Sequence, residues 1–470
     1  MSIGSLGFCH GTTSGSSTKV SADRSDGPDA RAGPQFHLST GAMIITARVV
    51  LPIVEEPIYG GCVRIADGRI VEVAECVSGM WEDEQVRDLG NVALLPGFVN
   101  AHSHIEYTLK RNAVDGLCFW DWIDAIGYRP GKSPDTLLLY ESALLGAAEC
   151  ALSGITCLAD CSFLGVAARA VEEVGLRGII YRELFGQSMG AEYPDRIDLL
   201  VREITKQQRM LSDRVKLGLS PHSVYTSNDE VLSYCANTDL PISLHLGETQ
   251  AEADYTVNGS GPIAEWRAKL GYDPMRRGLR PVEVARREGL LREGVCLAHC
   301  VHLNRREVRM VASSGVGVVH CPRSNAYLGC GIAPLRDLMS AGARLGLGTD
   351  GAASCGTLNF FEEMRAALML HRAVAKDAGV LTAKMVLEMA TLGGARAVGL
   401  ADCIGSIEPG KAADLIAVDL GDTFPGEDLH FSIVSRSPAD VKFVMVDGRE
   451  IISGGRTLAL DPSDMKRIAR

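Results

Sequence analysis

Two histidines two residues apart, His102 and His104, close the segment Pro96-Gly97-Phe98-Val99-Asn100-Ala101-His102-Ser103-His104. In an extended strand alternate side chains share a face, so both imidazoles point into one volume and can share a cation. A His-x-His pair alone is a weak signal. It gains weight because His222, His245, His299 and Asp350 also fall at the ends of apolar runs, as do six of the 11 histidines once His302 is included. Neutral imidazoles, one carboxylate and an open position suit a divalent cation, with zinc favoured and iron or manganese as alternatives. Such an ion lowers the pKa of its water to about 7. A proton carrier is then needed beside it, and Glu248 in His245-Leu246-Gly247-Glu248 is placed to take that proton and pass it to a substrate ring nitrogen.

The elements that must bring these groups together recur along the chain. Eight short apolar runs, each followed by a longer stretch with helical periodicity, predict parallel strands joined by helices. They are Ala93–Val99, Gly154–Ala159, Arg177–Tyr181, Val215–Leu219, Pro241–Leu246, Val295–Ala298, Gly315–Val319 and Ala343–Gly348. Helical patterns include Leu137–Leu152, Val166–Val174, Val282–Glu288, Arg305–Ser313 and Phe360–Val374. Eight such units predict an α/β fold, a (β/α)8 TIM-like barrel, in preference to a doubly wound open sheet. Barrel enzymes carry their reactive groups at the C-terminal strand ends, where the histidines lie.

Outside the barrel, β-rich segments around Asp67-Gly68 and Asp447-Gly448 predict hairpins that pair the two chain ends into a small β-sandwich domain. The expected organisation is a disordered extension over 1–42, the small β domain from 43–92 and 405–455, the barrel over 93–404, and a tail over 456–470. The first forty residues are rich in Ser, Gly, Thr and Asp and lack the pattern of a secretory signal, and Met43 is a candidate physiological start.

Composition narrows the partners. A net charge of -11 without a basic stripe argues against nucleic acid, and no stretch of eighteen uncharged apolar residues predicts a membrane span. The 14 cysteines are scattered singly through apolar runs, as buried thiols are in a cytoplasmic protein. Cys157 and Cys161 lack the second pair that a zinc site would need. A small-molecule substrate is the partner these features leave.

Taken together, His102-x-His104, His245-Leu-Gly-Glu248, Leu297-Ala-His299-Cys-Val-His302-Leu, Cys321-Pro-Arg-Ser-Asn325 and Gly348-Thr-Asp350-Gly-Ala-Ala-Ser354 resemble the amidohydrolase superfamily, in its branch of nucleobase deaminases and chlorohydrolases. The resemblance spans Met43 to about Ser453. It implies one metal ion held by His102, His104, His245 and Asp350, with Glu248 shuttling protons, His299 orienting the attacking water and His222 contacting substrate. Members with two metals use a carboxylated lysine at the end of the fourth strand. Lys216 lies early in that run, which favours one ion. His302 and His320 match packing or supporting positions, and His371 reads as structural or surface. The resemblance also implies a homo-oligomer.

For the substrate, His104-Ile105-Glu106-Tyr107 and Gly259-Ser260-Gly261-Pro262 are similar to the aminodeoxyfutalosine deaminases of menaquinone synthesis, which makes Glu106 a substrate contact. Adenosylhomocysteine and methylthioadenosine deaminases are the alternative. That group carries an acidic residue for ribose where this chain has Trp120. Triazine-type chlorohydrolases and a non-catalytic barrel scaffold are the remaining readings. Trp120 and Trp122 either stack on a flat ring or anchor their loop. Arg323 either pairs with a substrate carboxylate or packs near the seventh strand.

Overall fold

The computed structural model describes residues 42–77, 84–127, 135–421 and 428–468. The extension expected over 1–42 lies, up to residue 41, outside the described residues. Eight parallel strands in sequence order form the central sheet, and we number them β1 (Phe98–Ser103), β2 (Ile155–Ser162), β3 (Arg177–Glu183), β4 (Val215–Ser220), β5 (Ile242–Leu246), β6 (Val295–His299), β7 (Gly317–His320) and β8 (Arg344–Leu347). Every residue of β2, β5, β6 and β7 is buried, which is why these strands read as continuous apolar runs rather than alternating ones.

The barrel closes between its first and last strands at the mouth. Asp350 N donates to the His102 carbonyl at 3.1 Å, and Ser103 and Asp350 form a parallel bridge. Asn100 stitches the same seam, donating from Nδ2 to Thr349 Oγ1 at 2.8 Å and accepting from Thr349 N at 3.0 Å. The helices expected from periodicity cover the outside, among them Thr136–Leu152, Ala167–Val174, Pro281–Arg287, Arg305–Ser313 and Phe360–Ala375. Phe98 anchors this layer, with its ring 5.7 Å from that of Phe360 and 5.3 Å from that of Phe361.

One expected run, Ala93–Val99, is two strands. Val92–Pro96 leaves the barrel and pairs antiparallel with Leu415–Asp419, and β1 begins only at Phe98. The break falls at Gly97, where the backbone passes so close to β2 that a Cβ would sit 2.0 Å from Thr156 Oγ1. No other residue type fits there, and periodicity alone does not show such a contact.

Both chain ends build the remaining two sheets. One has four strands and includes Met43–Thr46 and Gly61–Ala66; the other has seven and includes Val92–Pro96, Leu415–Asp419 and Val441–Val446. They share a core of Ile45, Val63, Leu94, Leu415 and Phe443, as two packed sheets do. Residues 456–470, expected as a tail, add the strand Arg456–Thr457 to the larger sheet and the helix Pro462–Ile468. A buried ion pair ties this region to the barrel: Arg177, at the start of β3, donates from Nε and Nη2 to Asp414 at 2.8 and 3.0 Å. No helix among the described residues is long and apolar enough to cross a membrane.

Candidate active site

Strand ends deliver the predicted groups to one place. His102 and its neighbour His104 leave β1, His245 sits in β5 and Asp350 follows β8. His102, His104 and His245 each offer a ring nitrogen within 4.8 Å of the others. His104 Nε2 and His245 Nε2 stand 3.1 Å apart. Asp350 Oδ1 lies 3.5 Å from His104 Nε2 and 3.8 Å from His102 Nε2. Ligands about 2.0–2.1 Å from a zinc-sized ion in a tetrahedron stand roughly 3.3 Å from one another, so these separations match donors around one ion.

The chemistry of the donors fits as well. All four residues are buried, and burial holds the pKa of His102 and His245 well below the ordinary range, leaving neutral rings with free lone pairs. His102 Nε2 is buried without a hydrogen-bond partner, the state expected of an atom kept for a cation. Burial pushes the Asp350 carboxyl up, but His104, His299 and His102 outweigh it and bring its pKa down to about 2. It is therefore ionised at neutral pH. Ser324 Oγ and Ser354 Oγ donate to Asp350 Oδ2 at 2.5 and 3.0 Å, and Gly351 N donates to Oδ1 at 2.8 Å. The cluster can hold a divalent metal ion.

Glu248 reaches the same volume because Gly247 takes the left-handed backbone (φ +63°) and turns the chain after β5. Its oxygen, a nitrogen of His299 and an oxygen of Asp350 lie within 4.8 Å of one another. Burial raises the Glu248 pKa to about 7, against the pull of His299. Behind it, Glu252 Oε2 accepts from Glu248 N at 3.0 Å and pins the turn. His299 Nδ1 meets Asn325 Oδ1 at 2.9 Å, so Asn325 receives that proton and leaves Nε2 facing Glu248 Oε1 at 3.6 Å. Burial opposes protonation of His299, but Glu248, Asp350 and Asn325 prevail and raise its pKa. His299 (φ +72°) and Asp350 (φ +60°) both adopt left-handed backbone, a local cost of the kind that gathers at functional positions.

A cavity of about 490 Å³ opens from this floor. Its walls are aromatic, with Tyr107, Trp120, Trp122, Phe163, Phe185 and Trp266 among them. His222 lies against Phe185, ring centroids 4.7 Å apart, and its Nδ1 is engaged by Thr226 Oγ1 at 3.0 Å. Burial first, then His104 and His299, lower its pKa to about 3, so the ring is neutral. Trp120 sits edge-on to Tyr225 at 5.5 Å, and Trp122 is buried beside Phe119 with its indole N–H unpartnered.

Two expected contacts are not brought to the cavity. Glu106 lies in the 3-10 helix Ile105–Lys110 and is buried away from the cavity, where it accepts from Ser162 Oγ and from the backbone N–H groups of Phe163 (2.7 Å), Leu164 (3.2 Å) and Val166 (3.1 Å). It holds the loop entering the helix Ala167–Val174. Arg323 is likewise engaged elsewhere: its Nε donates to Glu363 at 2.6 Å, and its other donors go to Glu362 and Thr357. His320 Nε2 meets His371 Nε2 at 2.9 Å and His302 Nε2 meets the Cys330 carbonyl at 2.7 Å, both as structural contacts. Lys216 points out of its strand and is exposed. Sequence reasoning missed Glu183, a buried carboxyl on the cavity wall, and the aromatic rings Phe163 and Phe185.

The family model for amidohydrolases matches residues 93–451. The chain is 34% identical over 441 residues to a 5-methylthioadenosine/S-adenosylhomocysteine deaminase of Desulforudis audaxviator, covering 91% of this chain and 97% of that protein. Among solved structures it is similar to an adenosine deaminase of Xanthomonas campestris with bound zinc, at a TM-score of 0.78 and 30% identity over 91% of this chain and 97% of the other. An aminofutalosine deaminase of Helicobacter pylori shares the fold at a TM-score of 0.74 and 21% identity, covering 87% of this chain and 100% of the other.

Proposed function

The chain belongs to the amidohydrolase family, and from that premise we propose that it is a hydrolytic deaminase of adenosine-type nucleosides carrying a modified 5′ position. The observation that carries this reading is the meeting of Glu248, His299 and Asp350 beside three neutral imidazoles on the floor of an aromatic cavity. His102, His104, His245 and Asp350 would hold a single zinc ion. When bound, that ion supplies a water acidified to a pKa of about 7.

The side chains of this protein do the rest. The purine lies between aromatic walls, which bury its faces and exclude bulk water. His222, a neutral ring with Nδ1 engaged by Thr226, presents its Nε2 to a ring nitrogen of the base. Glu248, with a pKa of about 7, takes a proton from the attacking water and delivers it to the ring nitrogen next to the amine-bearing carbon. His299, fixed through Asn325, stands beside that transfer and steadies the developing charge. The C–O bond forms first and leaves the ring carbon tetrahedral; the oxygen's remaining proton then passes through Glu248 to the amine, and as the C–O bond becomes a carbonyl the C–N bond breaks and ammonia leaves. Asp124, on the same short helix as Trp120, borders the cavity and offers a carboxylate to the ribose hydroxyls.

Methylthioadenosine and adenosylhomocysteine are the substrates this reading favours over aminodeoxyfutalosine. Of the two segments similar to the aminodeoxyfutalosine deaminases, His104-Ile105-Glu106-Tyr107 and Gly259-Ser260-Gly261-Pro262, the first offers Glu106, and that carboxylate faces a loop, whereas a 34% identical relative is a deaminase of the former pair. The test is a panel of adenosine, methylthioadenosine, adenosylhomocysteine and aminodeoxyfutalosine, followed by ultraviolet change and ammonia release with the zinc-loaded enzyme. Turnover concentrated on the 5′-thioethers is the expected result. No ammonia from any member sinks the proposal, and turnover confined to aminodeoxyfutalosine moves it to that substrate.

A further inference from the structure

Glu183, the last residue of β3, has no part in the scheme above. Its side chain is buried and borders the cavity, and Oε1 has no hydrogen-bond partner. His104 Nδ1 faces that oxygen from 4.0 Å and is itself buried with no hydrogen bond of normal geometry, although the Cys161 backbone lies near enough to favour its protonated form. Two unsatisfied polar atoms, one a donor when protonated and the other an acceptor, are thus left opposite one another inside the protein. Buried polar atoms are rarely left so unless something completes them.

A bound cation would complete them. Once the Nε2 lone pair of an imidazole is on a metal, Nδ1 carries the ring proton and needs an acceptor, which fixes the tautomer and the tilt of the ring. His245 already has one, because its Nδ1 meets the His222 carbonyl at 2.9 Å. His102 Nδ1 has Cys161 Sγ at 3.9 Å. We propose that Glu183 is the acceptor for His104, a positioning residue that fixes this imidazole as a metal ligand through an Nδ1–H to Oε1 hydrogen bond. Closing 4.0 Å to a normal length takes a movement of roughly 1 Å, within reach of a side-chain rotation. The Cys161 backbone also borders His104, so the test must separate the two.

The inference rests on His104 being a metal ligand and not on which nucleoside is turned over. The full chain is compared with Glu183→Gln and Glu183→Ala, and zinc affinity is read by competition with a chelating indicator in the absence of substrate. Glu183→Ala should weaken zinc binding by roughly 10–100-fold, the usual effect of losing such a partner. Glu183→Gln, whose amide oxygen still accepts, should lose clearly less. Wild-type zinc affinity in Glu183→Ala overturns the proposal and leaves the Cys161 carbonyl as sufficient; if KM alone rises in that variant, Glu183 is a substrate contact instead. Equal losses in both variants overturn it too, since Gln retains an acceptor. His104→Ala separates the two levels of failure: stoichiometric, tightly held zinc in that variant removes His104 from the ligand set and places the fault in the site reading.

Discussion

Glu248→Gln tests the proposed proton carrier without any substrate. Glu248 is 5% exposed, and burial, which His299 only partly offsets, raises its pKa from the ordinary 4.5 to about 7. The folded protein therefore keeps a proton that the unfolded chain releases between those two pH values. The stability this group contributes is complete below pH 4.5 and is lost as pH rises through about 7. At about 1.36 kcal/mol for each tenfold step in proton affinity, the loss is about 3 kcal/mol. Gln cannot ionise and escapes it. Urea unfolding of the chelator-treated protein, followed by circular dichroism from pH 5 to 8.5, should show the variant gaining on the wild type by about 2.5 kcal/mol across that range, since the unfolded carboxyl is already largely ionised at pH 5. The zinc-loaded variant should retain its metal and lose turnover. A stability difference that stays constant from pH 5 to 8.5 would refute the reasoning, because it would mean that Glu248 titrates alike in the folded and unfolded chains.

The other predictions concern ligands and scaffold. His245→Ala should strip the ion, and elemental analysis should find less than a tenth of the wild-type metal; near-stoichiometric metal would remove His245 from the set. Arg323→Met strips the fully buried Glu363 of its ion-pair partner, leaving it only the backbone N–H of residue 323, and should cost about 3–5 kcal/mol in denaturant unfolding, with KM unchanged; a raised KM without lost stability would return Arg323 to the substrate. Glu106→Gln replaces a charged acceptor that serves three backbone N–H groups and Ser162. It should cost about 1–3 kcal/mol, read as a lowered melting temperature, and a change in substrate preference at unchanged stability would contradict the structural role.

What the sequence makes legible here is direction along a strand, and what it hides is direction beyond one. His102, His245 and Asp350 lie in or beside strands whose neighbours are all buried, so alternation and the barrel's polarity carry them to the mouth. Glu106 and Arg323 stand only a few residues past strand ends, but each lies in a short helix. Ile105–Lys110 turns Glu106 toward the β2 loop, and Pro322–Tyr327 turns Arg323 toward Phe360–Ala375. Neighbourhood in a motif is not neighbourhood in space, and for Arg323 the packing alternative is the one the structure shows. Glu183 escapes for the opposite reason, because the apolar run Arg177–Tyr181 stops two residues short of the strand's end. Tyr181 packs with Cys157, Cys161 and Cys296, and Glu183, two residues on, shares its face. Simple alternation extended by one step would have found it.

The seam of the barrel and the cluster of candidate metal donors are one piece of structure. Asp350 N donates to the His102 carbonyl, so the bond that joins β8 to β1 also sets the spacing of two predicted ligands. Thr349 and Asn100, one and two residues from those ligands, lock the register with a reciprocal pair of buried hydrogen bonds. A slip of one residue along that seam would turn His102 and Asp350 away from the mouth. Asp350 also holds left-handed backbone, a conformation that persists only where its surroundings over-determine it. Those surroundings are Ser324, Ser354 and the closure bond itself. The geometry of the donors is thus underwritten by the closure of the fold. This explains how side chains from β1, β5 and the end of β8, far apart in sequence, can hold ion-like spacings of 3.1 to 3.8 Å without any direct covalent or local constraint between them.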